Sequence, residues 1–249
     1  MYLSHPLVEE PQTAAKLWRY MDLAKFLHLL NSASLHLAAL RTFEDPFEGH
    51  PPKSVIAQLT KQPNDITPKI RTERLAIIEN NLKMFKNSRN SVFASCWHMN
   101  ETESAGMWSQ YIRAGEGIAV QTTFERLKTS ISEDSHPVSG AIAKYVDFET
   151  YVPTDFNVLV WGILKRSSYS HEKEFRLVAL QQPGPLGIAA PVNLEVLIEN
   201  IYVAPTTPNW LLDLIKSLIA KFYIGAPIVR SELLNPPDYF HVPAWAKDA

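Results

Sequence analysis

The residues best suited to chemistry are two glutamates and an arginine at alternate positions: Glu172, Glu174 and Arg176 in the stretch SYSHEKEFRLVAL. A β-strand sends successive side chains to opposite faces, so a strand over 172–180 groups these three on one face and Lys173, Phe175, Leu177 and Ala179 on the other. One face then reads as core, and the charged one is expected to meet a cleft or solvent. Paired carboxylates can hydrogen-bond a sugar hydroxyl or stabilise developing positive charge. They also repel each other unless a cation or a ligand engages them, and Arg176 alone cannot neutralise both. The charge is therefore expected to be a cost to the fold tolerated for function, so that Glu174→Gln should leave the melting temperature unchanged or slightly raised.

Three further clusters carry usable chemistry. In WRY, strand alternation places Trp18 and Tyr20 on one face and Arg19 on the other. In EDPFEG, a turn bears Glu44, Asp45 and Glu48, with Asp45 expected to accept backbone amides and Phe43 and Phe47 to point inward. In MWSQY, Trp108 and Tyr111 share a helix face beside the glycine-containing bend AGEG. Each has a plain structural alternative. Aromatic residues at helical spacing pack in cores, turn carboxylates cap amides, and Glu174 with Arg176 can be an ion pair worth under about 1 kcal/mol if exposed. Cys96, two residues before His98 and without further ligands nearby, reads as a core cysteine. Glycine-rich phosphate loops, a His-Glu-x-x-His pair and a Gly-x-Ser-x-Gly elbow are absent, and no histidine is assigned a metal.

The elements that must position these residues follow from patterning. Short strands are expected at KLWRY, LHLAALRTF, SVFASCW, EGIAVQTTF, GAIAKYVDF, the 165–180 region, GIAAPVNL, NIYVAP and APIVRSEL. Helices are expected at 22–31, capped by Asp22; at 67–88, where Thr67 precedes Pro68; at 104–112; and from Trp210 to about Tyr223. Ile70, Leu75, Ile78, Leu82 and Phe85 form the apolar stripe of the second helix, and Leu211, Leu214, Ile215, Leu218 and Phe222 that of the last. Residues 1–15 are expected to drape over the surface and the proline-rich stretch after Leu234 to be irregular. Strands outnumber the three or four helices without alternating with them, which gives a single α+β domain with a mixed or antiparallel central sheet.

Composition narrows the functional classes. The chain has 249 residues, 46% hydrophobic and 20% charged, enough for one large core. With 24 basic and 26 acidic residues the formal net charge is -2, which argues against a dedicated nucleic-acid binder. A single cysteine suits a reducing, cytoplasmic setting. No run reaches the roughly 18 apolar residues of a membrane span, so neither export nor membrane insertion is expected.

The ordered series LWRY, LRTFEDPFEG, SVFASCW, MWSQYI with GEGIAV, and HEKEFRL resembles the family catalogued as domain of unknown function 2971, over about residues 17 to 205. More distantly, a strand bearing Arg followed by a late strand bearing Glu-x-Glu is similar to the ADP-ribosyltransferase arrangement. That resemblance implies NAD as substrate, and the scattered histidines give no reason to expect a metal. Glu174 would be the catalytic carboxylate and Glu172 would orient the acceptor. Arg19 would contact phosphate or ribose, Trp108 or Tyr111 would stack, and Tyr20, Ser95 and Arg176 would complete the cofactor-binding set. The family's Ser-Thr-Ser element is missing, with Ser95 in FASCW its only substitute. Three readings stay open: an NAD-consuming enzyme, a non-enzymatic domain gripping a nucleotide or a protein partner, and nucleic-acid processing through the basic face of the 67–88 helix.

Overall fold

The computed structural model describes residues 1–62, 67–111, 116–155 and 157–237, without the Tyr111 side chain. In chain order the first half comprises β1 (Lys16–Asp22), α1 (Leu23–Ser32), β2 (Ser34–Ala39), α2 (Lys53–Thr60), α3 (Pro68–Asn87), β3 (Val92–Met99), α4 (Ala105–Tyr111), β4 (Gly117–Thr123) and α5 (Phe124–Ser130). There follow β5 (Ser139–Ile142), β6 (Lys144–Val146), α6 (Val158–Gly162), β7 (Leu164–Arg166), β8 (Glu174–Leu180), β9 (Gly187–Pro191), α7 (Leu194–Leu197), β10 (Asn200–Val203), α8 (Asn209–Lys221) and β11 (Ile228–Arg230). The fold is α+β with a mostly antiparallel sheet. Helices beyond the expected set are short: α2, α5, α6 and α7. The single strands expected at GAIAKYVDF and at 165–180 each divide in two.

Local signals formed as their chemistry requires. The Asp22 carboxylate accepts from the Lys25 amide at 2.7 Å, which satisfies a donor that α1 cannot satisfy internally. Thr67 caps α3 in the same way, accepting from the Ile70 amide at 3.4 Å. The stripe of α3 is only half used, because Phe85 is buried while Ile70 and Leu75 are exposed. Leu214 of α8 is also exposed, and Ile219 takes the inward position instead. Periodicity identifies an amphipathic helix but not how far a neighbour covers it. The irregular tail lies outside the described residues from 238 on.

The sheet runs β11-β10-β4-β1-β3-β2-β9, with β8 along β3 and β5 beyond β8. One edge of β3 is occupied by β8 from Val92 to His98. The other edge is shared. β1 pairs with it only at Met99 and His98, and β2 only at Ala94 and Phe93. Both run antiparallel to β3, hence parallel to each other, and α1 is the crossover between them. Residues Ser95 to Trp97 therefore have no strand partner on that edge among the described residues, and the sheet has a gap bounded by β1, β2 and α1.

The main core lies on the face that bears Leu17, Phe93, Trp97, Phe175 and Leu177, covered by α1, α5 and α8. Phe175 and Leu177 are fully buried, as strand alternation demands.

Candidate functional site

The charged side of the opening motif is not a cleft. The strand begins only at Glu174; Ser167–Glu172 is a 3-10 turn, and Lys173 takes a left-handed conformation (φ 41°) that breaks the alternation. Glu172 therefore does not share a strand face with Glu174 and Arg176. Glu174 is 3% exposed and Arg176 0%, contrary to the expected cleft or solvent setting. Arg176 grips Glu174 with two parallel bonds of 3.0 Å, donates to the Gly162 carbonyl at 2.7 Å and pairs with Glu48. Lys165 donates to Glu174 at 2.9 Å, pairs with Glu172 and lies 3.8 Å from Glu48.

This cluster sets three carboxylates, Glu48, Glu172 and Glu174, against two cations. Burial pushes the Glu174 carboxyl up, but Arg176 and Lys165 outweigh it and hold the group at about 2. Burial also pushes Glu48 up, and there Arg176 and Lys165 only partly reverse it, so the charged form of Glu48 is disfavoured relative to that of Glu174. Burial, with Glu174 beside it, raises the Cys96 thiol well above its usual range, so no thiolate nucleophile forms. A glutamate that accepts twice from Arg176, once from Lys165 and once from the Cys96 thiol has its four acceptor positions taken and none left for a ribose hydroxyl, and the fully buried Arg176 has no donor turned toward a cofactor. The expected tolerance of Glu174→Gln reverses accordingly.

The aromatic set is brought together, but around itself. Trp18, Tyr20 and Trp108 are buried in one cluster with Ala119 and Ala204. Tyr20 meets Trp108 edge-on at 4.9 Å, and its hydroxyl accepts from the Ser104 amide at 2.8 Å. The Trp108 indole donates to Glu103 at 2.8 Å. Trp108 is thus a core residue that offers no face for a nicotinamide. The Tyr111 side chain lies outside the described residues.

Register also separates Arg19 from Glu174. Trp18, His98 and Glu174 stand in line across three strands, so Arg19 emerges on the opposite face, its guanidinium 5.6 Å from the centre of the Trp97 ring. What Arg19 does meet is the gap. It donates to the His36 carbonyl of β2 at 3.1 Å, linking the two strands that never pair. Around it opens a cavity of about 860 Å³, bounded by β1, α1, β2, the 42–44 turn and Ala94 to Cys96. That volume suits a ligand of dinucleotide size. Lys25, His28 and His36 line it together with Arg19, as do Asp22 and Glu44. Asp22 is engaged by α1, through the Lys25 amide and the Lys25 ammonium at 3.4 Å. Ser95, on the same strand face as Arg19, is 1% exposed and lines this cavity, and its Oγ has no hydrogen-bond partner.

Of the residues singled out from sequence, the structure thus unites Arg19 and Ser95 in the cleft, with Tyr20 at its border. Glu172, Glu174 and Arg176 belong to the buried cluster. Sequence reasoning missed Lys165 and Glu48 as their partners, and His28 and His36 as cleft residues. For Lys165 the available signal was a lysine set within an apolar stretch, GILKR. Among the described residues no group of His, Cys, Asp or Glu could hold a metal ion, and no helix is long and apolar enough to cross a membrane. No protein-family model matches the sequence and no curated protein matches it. The resemblance described above therefore rests on its motifs.

Proposed function

We propose that this chain is a nucleotide-binding domain that holds NAD or a related nucleotide in the gap between β1 and β2, and that its Glu-x-Glu segment serves the fold. One observation carries the reading: a cleft of about 860 Å³ lined by both Arg19 and Ser95, whose buried hydroxyl has no hydrogen-bond partner. A buried hydroxyl without a partner costs free energy that a ligand's polar atoms can recover. Arg19 supplies the phosphate contact that the ADP-ribosyltransferase resemblance assigns it, and Ser95 the ribose or phosphate contact. Calorimetric titration with NAD and with ADP-ribose tests this. Binding that weakens at least about tenfold in Arg19→Gln, with the melting temperature retained, is the expected result. Absence of binding by either nucleotide overturns the proposal. Release of nicotinamide from NAD, lost in a folded Glu174→Gln protein, would restore the catalytic reading of the motif.

A further inference from the structure

We infer that the cleft recognises the phosphate portion of its ligand with Arg19 and a proton-dependent partner, His36, so that a phosphate-bearing nucleotide binds more tightly as pH falls. This rests on the nucleotide reading of the cleft. Arg19, His36 and His28 border one cleft from three elements, with His36 on the sheet face opposite Arg19. Arg19 comes from β1 and bonds the backbone of His36 itself, His36 comes from β2, and His28 projects from α1 onto the same wall as Lys25, one helical turn before it. The other titratable groups lining the cleft are Tyr20 on β1, Asp22 and Lys25, which pair with each other, Glu44 on the 42–44 turn and Cys96 on β3. The strand on the far side of β2, β9, carries none.

The His36 ring has a prepared seat. A Cβ built on Gly187 of β9 would stand 2.2 Å from its Cε1 and 2.5 Å from its Nε2, so the imidazole occupies the space that this glycine leaves open. Burial, then Arg19, then His28 lower the His36 pKa, as expected where cationic groups crowd together. A polyanion set among them removes the repulsion and raises the same pKa, so ligand binding and protonation of His36 favour one another. Gly187 is by this account a positioning residue that acts through His36.

ADP-ribose is the probe of choice because its pyrophosphate does not titrate between about pH 6 and about pH 8, where an imidazole does. Calorimetry over that range should show its affinity rising about tenfold toward the acid end, whereas adenosine, lacking phosphate, shows no such slope. His36→Asn should flatten most of the slope. Gly187→Ala, which adds no titratable group but displaces the ring, should flatten it too in a protein that still melts cooperatively. A slope that is absent in the native chain, or that persists unchanged in His36→Asn, overturns the inference while leaving the nucleotide site standing. Equal affinity for adenosine and ADP-ribose overturns phosphate recognition. Failure of ADP-ribose to bind at any pH removes the nucleotide reading and this inference together.

Discussion

The two edges of β3 place charge in opposite ways. Along β8, acids and bases are buried in contact, with every oxygen of Glu174 engaged and Arg176 bonded on three sides. Along the gap, Arg19 and Lys25 line an open cavity with Asp22, Glu44 and two histidines, and Lys25 and Asp22 are joined there in an ion pair. Charge that is buried and matched defines where the surrounding segments must sit; charge that borders a void can also be reached by a ligand. The same residue types therefore report stability in one place and binding in the other, and burial with partner count separates the two.

The largest effect should come from Arg176→Met, which leaves Glu174 and Glu48 buried without their main cation. A loss of about 3 to 5 kcal/mol, or about 10 °C in melting temperature, is expected in thermal or urea unfolding. A loss below about 1 kcal/mol would remove the distinction between the two edges.

Next comes Glu174. Its folded-state pKa lies at about 2, below the ordinary 4.5. Its contribution is therefore complete above about pH 4.5 and is lost as pH falls toward 2, amounting to about 3 kcal/mol. Glu174→Gln should cost a similar amount at neutral pH and flatten the acid limb of the stability profile. Glu48→Gln sharpens the point: it removes one of three carboxylates set against two cations, leaves an oxygen to accept from Arg176, and should cost about 1 kcal/mol or less.

Asp45 gives a smaller effect. Its carboxylate accepts from the Phe47 amide at 3.0 Å and from Arg166 at 3.0 Å, so Asp45→Ala should cost about 2 kcal/mol in urea unfolding. The smallest stability change belongs to Arg19→Gln, under about 1 kcal/mol, because its hydrogen bond to the His36 carbonyl is exposed. A large destabilisation there would make Arg19 a brace for the gap and count against a binding role.

What the sequence made legible is what local chemistry determines. Asp22 and Thr67 cap their helices, Asp45 closes its turn, and Phe175 and Leu177 face inward because each depends on neighbours a few residues away. The assignment of Glu172 failed at a single backbone angle, that of Lys173, which no side-chain pattern announces. Phe47, expected inward, is 37% exposed and lies against Arg166 and Phe148. The cluster itself was out of reach, since Glu48 is 128 residues from Arg176 and comes from a turn noticed for other reasons. Arg19 was correctly singled out, but the face it occupies depends on a strand register that only the folded sheet defines.

The shared edge of β3 has a consequence for how the protein breathes. With β1 and β2 each held to it by two residue pairs, the seam at Ser95 to Trp97 is a short stretch of backbone in the middle of the largest sheet that, among the described residues, has no ladder on one side. In hydrogen-exchange terms, protection should fall and rise again along a single strand, from Phe93 and Ala94 through the gap to His98 and Met99. The sheet's most yielding point then lies beneath the cleft rather than at its outer edges, and an occupant of that cleft would stiffen the molecule from its centre outward.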